Sequence, residues 1–304
     1  MNVLVTGCLG HIGSYLLIKL LKKKKLNLYG LDSNASNNLN TIFNLKKKNF
    51  TFFLEDLKNF KYKKKIKKID FIIHLASTTN AEMSLIHKKE YEKNNLVCFN
   101  KVVEISNFFK CKLIHISSTS IYGVSSNLVN ESLGKKFLKP QSPYAAIKLK
   151  EENILKNNKN INFVTLRFGT IVGTSSGMRF HTAVNKFCLA ARFEKPIPVW
   201  KFAYNQYRPY LSIKDAYKTI VFFLNNSELF NNGTYNVVTN NFTVAQIIKK
   251  IQKIFKKKIK IKFVYSKIMN QLSYKVSGEK IRNIGLYLSN DIDVDIKNTK
   301  YFLG

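Results

Sequence analysis

Residues 2–13 read NVLVTGCLGHIG. A short apolar run meets Gly7, and glycines recur at positions 10 and 13 before a helix-like stretch. In a strand–turn–helix unit, Gly7 permits the tight turn and Gly10 lets a pyrophosphate approach the backbone. Gly13 allows the helix to pack closely on the sheet. His11 and Ile12 lie between the last two glycines and belong to the same loop. Asp32 follows 19 positions after Gly13, at the end of the second apolar run. A carboxylate there accepts hydrogen bonds from an adenosine ribose and repels a 2′-phosphate. The next two residues, Ser33 and Asn34, bring no positive charge. The cofactor expected is therefore NAD, not NADP. A glycine-rich turn with a chance aspartate is the alternative, and the strand before and helix after it argue against that.

The same alternation continues outward. Strand candidates are 2–6, 26–31, 50–54, 70–75, 112–117 and 161–168, with helical candidates near 12–22, 91–109 and 143–157. Strands alternating with helices predict a parallel sheet covered on both faces, an α/β, doubly wound, Rossmann-like fold. Beyond 170 the pattern loosens. A loop-and-helix region is expected over 170–209, then a helix at 213–225, a strand at 233–238 and a helix at 243–256. The expected organisation is an NAD-binding domain over 1–169, to which 210–240 returns. Residues 170–209 and 241–304 then form a smaller substrate-binding lobe.

Composition narrows the class. The 304 residues are 45% hydrophobic, enough for a substantial core. The chain enters its first strand at once, so no signal peptide is expected. No apolar run reaches membrane-spanning length, and a cytoplasmic protein with no membrane partner is expected. The net charge of +33 invites a nucleic-acid reading, but 46 of the 51 basic residues are Lys. With Asn and Ile also abundant, this is the bias of an AT-rich genome, and the Lys runs read as solvated surface. No nucleic-acid partner is expected. The four cysteines and five histidines show no metal-ligand spacing, so no metal site is expected. His74 and His115 sit inside apolar runs and read as core histidines.

Two further stretches carry chemistry. HISSTSIYG at 115–123 ends a strand candidate in four hydroxyl residues, Ser117 to Ser120, which bury poorly unless they cap a turn or face a ligand. SPYAAIKLK at 142–150 sets Tyr144 and Lys148 four apart, on one face of a helix. An ammonium beside a phenol favours the phenolate and lowers its pKa, making Tyr144 a general-base candidate.

Together these motifs resemble the extended short-chain dehydrogenase/reductase family, in its nucleotide-sugar epimerase/dehydratase branch. TGCLGHIG matches the TGxxGxxG cofactor loop, and Asp56-Leu57 the acidic–apolar pair beside the adenine. HLAS, with Leu75, Ala76 and Ser77, resembles the segment lining the cofactor; Asn95 matches the Asn supporting the active-site helices. SSTSIYG resembles the strand-end serine motif and YAAIK the catalytic pair; LRFGTIVG and YRPYLSIKDA resemble two looser stretches of the second half. The resemblance implies Ser118, Tyr144 and Lys148 as catalytic residues. It adds Ser117 and Phe168, with Tyr144 and Lys148, to the cofactor site. It implies a substrate site of Thr78, Ser118, Tyr144, Thr170, Asn185 and Arg208.

The implied reaction is removal of the C4 hydroxyl proton by Tyr144 as hydride passes from C4 to NAD⁺, with Ser118 stabilising the oxygen. Return of hydride to the other face gives C4 epimerisation of a nucleotide-sugar, UDP- or GDP-linked, by a homodimer. The dehydratases of the branch carry Asp-Glu where this chain has Thr119 and Ser120, which argues against loss of water. Thr170 replaces the usual Asn of LRxxNxxG, Pro209 replaces the Asp of RDY, and 173–187 (GTSSGMRFHTAVNKF) departs from the ordinary epimerase loop. An unusual sugar is thus expected. A 4-dehydrogenase, decarboxylase or 4-keto reductase of the same family is the alternative. A non-catalytic NAD-binding regulator is the reading from a different class, and the intact Ser–Tyr–Lys trio weighs against it.

Overall fold

Alternation of buried residues along each strand divides the first half of the chain between two cores. In the computed structural model, which describes residues 1–23, 25–33, 39–42, 48–125, 128–264, 273–288 and 291–304, strand β1 (Asn2–Thr6) leads into helix α1 (His11–Leu20). Asn34 lies outside the described residues. β2 (Asn27–Asp32), β3 (Phe50–Leu54), α2 (Tyr62–Lys65) and β4 (Phe71–His74) follow. Then come α3 (Met83–Ile86), α4 (Lys88–Phe109), β5 (Lys112–Ser118), the short β6 (Leu128–Val129), α5 (Pro143–Asn157) and β7 (Phe163–Phe168). Val3 and Val5 point to one face with Ile73, Ile114 and Val164, against α1. Leu4, Ile72, Leu113 and Phe163 point to the other, against Phe99 and Val102 of α4. A period of two with both faces apolar is what a doubly covered sheet requires.

The second half supplies β8 (Thr170–Val172), α6 (Ala183–Arg192), β9 (Ile197–Trp200), β10 (Tyr207–Ser212), α7 (Ile213–Asn225) and β11 (Gly233–Val237). β12 (Asn240–Thr243), α8 (Val244–Phe255), β13 (Ile261–Val264), β14 (Lys275–Val276), α9 (Glu279–Asn283) and α10 (Ile292–Phe302) complete it. The main sheet has the order β11-β7-β5-β4-β1-β2-β3 with every neighbour parallel. The chain winds one way from β1 and the other way from β4, which opens a crevice beyond their carboxyl ends. Thr6 is level with Leu31 and His74, and Ser118 with Phe168, so the motif residues emerge along one edge.

The region expected as loop and helix, 170–209, also holds strands. β8 and β12 flank β10, and β9 pairs with β13. β9 (IPVW) and β10 (YRPYLS) each contain a proline, which speaks against a strand in sequence; neighbouring strands and a third core override it. That core packs Val172, Phe187, Ile197, Val199, Ile247, Ile251 and Ile296. α10 was also unexpected: its inward face is little more than Ile292 and Ile296 amid charged residues.

One polar network crosses the main sheet. Arg167 of β7 donates to both oxygens of Glu152 on α5 (Nε to Oε1 2.9 Å, Nη2 to Oε2 2.7 Å). It also donates to the Tyr122 hydroxyl (2.7 Å), which in turn donates to Asn236 of β11 (2.9 Å). Both ions of the pair are buried. Burial alone would raise the Glu152 carboxyl, but Arg167 holds it below its ordinary value. Its contribution to stability is therefore present above the unfolded carboxylate range and lost as pH falls through the lowered native value. Arg167→Met, which leaves Glu152 buried and uncompensated, should cost about 3–5 kcal/mol in urea unfolding.

Candidate active site

A cleft of about 570 Å³ opens at the carboxyl edge of the sheet. Along one side run Gly7, Gly10, His11, Ile12 and Gly13. Gly7 has φ +69°, and a Cβ there would collide with the backbone of Leu75 and Ala76; one at Gly13 would strike the Gly7 carbonyl. The turn is thus confined to glycine. α1 begins at His11 and carries no side-chain cap, so its first N–H groups are turned to the crevice end. Leu9 donates its N–H to Asp32 Oδ2 (2.9 Å), which fixes the carboxylate at the end of β2 beside the loop. Ser33 is exposed next to it.

The catalytic candidates line the same cleft: Ser117 and Ser118 at the end of β5, Tyr144 and Lys148 on α5. Ser142 caps α5 by accepting from the Ala145 N–H (3.2 Å), and Pro143 stands in the first turn, where it costs no hydrogen bond. The Tyr144 N–H donates to Ser84 (3.3 Å). The expected lowering of the phenol is not the net result in the chain alone. Burial pushes Tyr144 above its ordinary value, and Lys148, Arg179 and Ser118 only partly offset it. One reason is Glu151, whose carboxylate accepts from Lys148 Nζ (2.8 Å) and spends much of its positive field. Ser118 shares a hydrogen bond with Ser120 (2.8 Å), and Thr119 donates to the Phe168 carbonyl (3.3 Å).

Leu75, Ser77, Phe168, Thr170 and Arg208 also line the cleft. The buried Ser77 hydroxyl has no partner among the described residues and suits a ligand hydroxyl. Arg208 is held by the Tyr207 carbonyl and Gln206 (both 3.1 Å). Other residues expected at the site stand back from it. Asn95 binds the backbone of Thr78 in both directions (2.8 and 3.0 Å), so it shapes the segment after β4. Asp56 caps a short turn at Leu57 and pairs with Lys58, beyond β3. Ala76 meets Gly7 through its backbone. Asn185 holds the Arg179 carbonyl (3.1 Å).

Arg179 itself was missed in sequence. The segment after β8 straps across the glycine loop: His11 Nε2 lies 2.7 Å from the Gly173 carbonyl, Ser175 donates to the His11 carbonyl (2.8 Å), and the Gly177 N–H to Ser14 (2.9 Å). Arg179 then reaches Thr79 across the cleft (2.5 Å), with its other nitrogen 3.8 Å from where a Cβ of Gly10 would stand. The available signal was rarity, since only five residues in this Lys-rich chain are Arg.

The family model described as the NAD dependent epimerase/dehydratase family matches residues 3–237. The chain belongs to that family. Among its relatives is the uncharacterized UDP-glucose epimerase YtcB of Bacillus subtilis (strain 168), 28% identical over 279 residues, which cover 86% of this chain and 85% of the relative. The human dTDP-D-glucose 4,6-dehydratase is 24% identical over 304 residues, covering 93% and 84%. The crystal structure of UDP-glucuronic acid 4-epimerase from Bacillus cereus, in complex with UDP-glucuronic acid and NAD, superposes with a TM-score of 0.89 at 25% identity. The match covers 100% of this chain and 99% of that one. A family cofactor fits the residues present here: a glycine turn with no room for side chains, an open helix N-terminus, a carboxylate at the end of β2 and a buried serine hydroxyl with no partner among the described residues. With a carboxylate at 32 and no cation at 33, NAD(H) should bind at least about tenfold more tightly than NADP(H), roughly 1.4 kcal/mol, by calorimetry. Equal affinities would contradict the assignment of Asp32.

Proposed function

We propose that this member of the family is a nucleotide-sugar epimerase that inverts C4 through a transient 4-keto sugar. One observation carries the reading. Ser118, Tyr144 and Lys148 line one cleft whose only lining carboxylate, among the described residues, is the exposed Glu82. The cofactor supplies a reversible hydride acceptor at C4. Tyr144 takes and returns the C4 hydroxyl proton, Ser118 donates a hydrogen bond to that oxygen, and Lys148 supplies the cation that steadies the phenolate. The Bacillus subtilis and Bacillus cereus relatives, named for UDP-sugar epimerisation, support the assignment.

Elimination across C5–C6 would need one group to take the C5 proton and another to protonate the departing oxygen. Thr119 and Ser120 are neutral and engaged with Phe168 and Ser118. This favours epimerisation over the dehydration for which the human relative is named.

In this reading 1–169 and 210–240 hold the cofactor, and 170–209 with 241–304 close over the sugar. Arg208 meets the substrate diphosphate, with Thr170 beside it and Thr78 and Asn185 shaping the walls. Arg179 neutralises the cofactor pyrophosphate above Gly10. The enzyme is a cytoplasmic homodimer; exposed Val97 and Phe108, eleven residues apart and so on one face of α4, support a contact there.

A panel of UDP- and GDP-sugars followed by proton NMR and mass spectrometry tests the reaction. The expected product keeps the substrate mass and the C6 hydroxyl, and a peak lower by one water would refute the reading. Tyr144→Phe should lower turnover by about two orders of magnitude or more while cofactor binding survives. Arg179→Gln should weaken NAD by about tenfold in calorimetry, the worth of one charge-assisted contact.

A further inference from the structure

Glu151 lies one helical turn beyond Lys148 and is fully buried. Its Oε2 accepts from two donors, Lys148 Nζ (2.8 Å) and His115 Nε2 (2.9 Å). His115 Nδ1 lies 3.4 Å from the Thr165 hydroxyl. Glu151 Oε1 has no partner among the described residues, and neither has Nε2 of buried His74. The surroundings are otherwise spent or neutral. Glu152 is committed to Arg167, α4 contributes the Cys98 thiol, which burial keeps protonated, and His74 is neutral because burial drives it down to about 3. Arg179 acts on the phenol from the strap.

A buried carboxylate is costly unless its charge is used. Here it cancels the ammonium that faces Tyr144. Loss of the phenol proton then leaves a buried excess of negative charge, unless a cation enters the cleft.

We propose that Glu151 is a positioning residue that anchors the Lys148 ammonium and, by offsetting its charge, holds the proton on Tyr144. This rests on the reading of Tyr144 as the base. The test is the tyrosinate ultraviolet difference spectrum against pH, on the protein loaded with NAD⁺ or with NADH, using Tyr144→Phe as the blank. Glu151→Gln should lower both midpoints by about one pH unit or more, since a nearby negative charge is removed. Glu151→Asp, which keeps the charge, should titrate with the parent. Where Glu151→Gln does not fold, Lys148→Met and Lys148→Met/Glu151→Gln give the same comparison, and the double variant should titrate lower. Unchanged midpoints on removing the carboxylate would overturn the proposal. The titration does not depend on turnover, so it stands apart from failure of the epimerase reading, which would show as normal turnover in Tyr144→Phe.

Discussion

The bidentate contact between Glu152 and Arg167 sets the geometry on which the cleft depends. A single oxygen contact would let α5 rotate about its axis, whereas two parallel contacts fix both its rotation and its height against β7. Ser117 donates to the same carboxylate (2.7 Å). One side chain therefore registers the strand that carries Ser118 to the helix that carries Tyr144 and Lys148. Tyr144 and Lys148 lie two turns and one turn before Glu152 on the same face, so any slip of the pair would be passed directly to the phenol.

That face of α5 is unusual for a helix packed on a sheet. Lys148, Glu151 and Glu152 all point inward and are buried, beside Ala145, Ile147 and Leu155. The arrangement is tolerable because the interior is neutral overall: Lys148 with Glu151, Arg167 with Glu152, and hydrogen bonds to nearly every remaining oxygen. Neutrality also makes the site responsive. In a balanced interior, a charge brought by a ligand into the cleft is little offset by fixed charges, and the Tyr144 phenol on the cleft wall feels it.

Much of this was legible in sequence, and the rest was not, for physical reasons. The glycine loop, the parallel sheet and the shared helix face of Tyr144 and Lys148 follow from spacing, and the role of that pair from the motifs around it. Glu151 and Glu152 did not stand out because acidic residues on a helix ordinarily face water. Yet they occupy the stripe of Tyr144, Lys148 and Leu155, and that position was the available sign. His115 read as a core histidine and is one, but it also carries a hydrogen bond to Glu151. β9 and β10 were hidden by their prolines, and α10 by its sparse apolar face, since neighbours decide such elements more than local preference does.

The choice between the two basic side chains separates surface charge from site charge. Lys is the default cation of this chain, and many of its ion pairs, such as Lys58 with Asp56 or Lys257 with Glu194, are exposed and contribute little. Arg stands where direction matters. Arg167 grips both oxygens of Glu152, Arg179 spans the cleft to Thr79, and Arg192 donates to the Leu303 carbonyl near the end of α10 (3.0 Å). Arg208 holds two acceptors at the cleft wall. A lysine ammonium offers a point charge on a flexible stem, while a guanidinium offers a planar fork with fixed donors. A net charge of +33 thus says little about partners, because most of it is Lys. The few guanidiniums mark the places where the fold or the cleft needs a cation held at a defined angle.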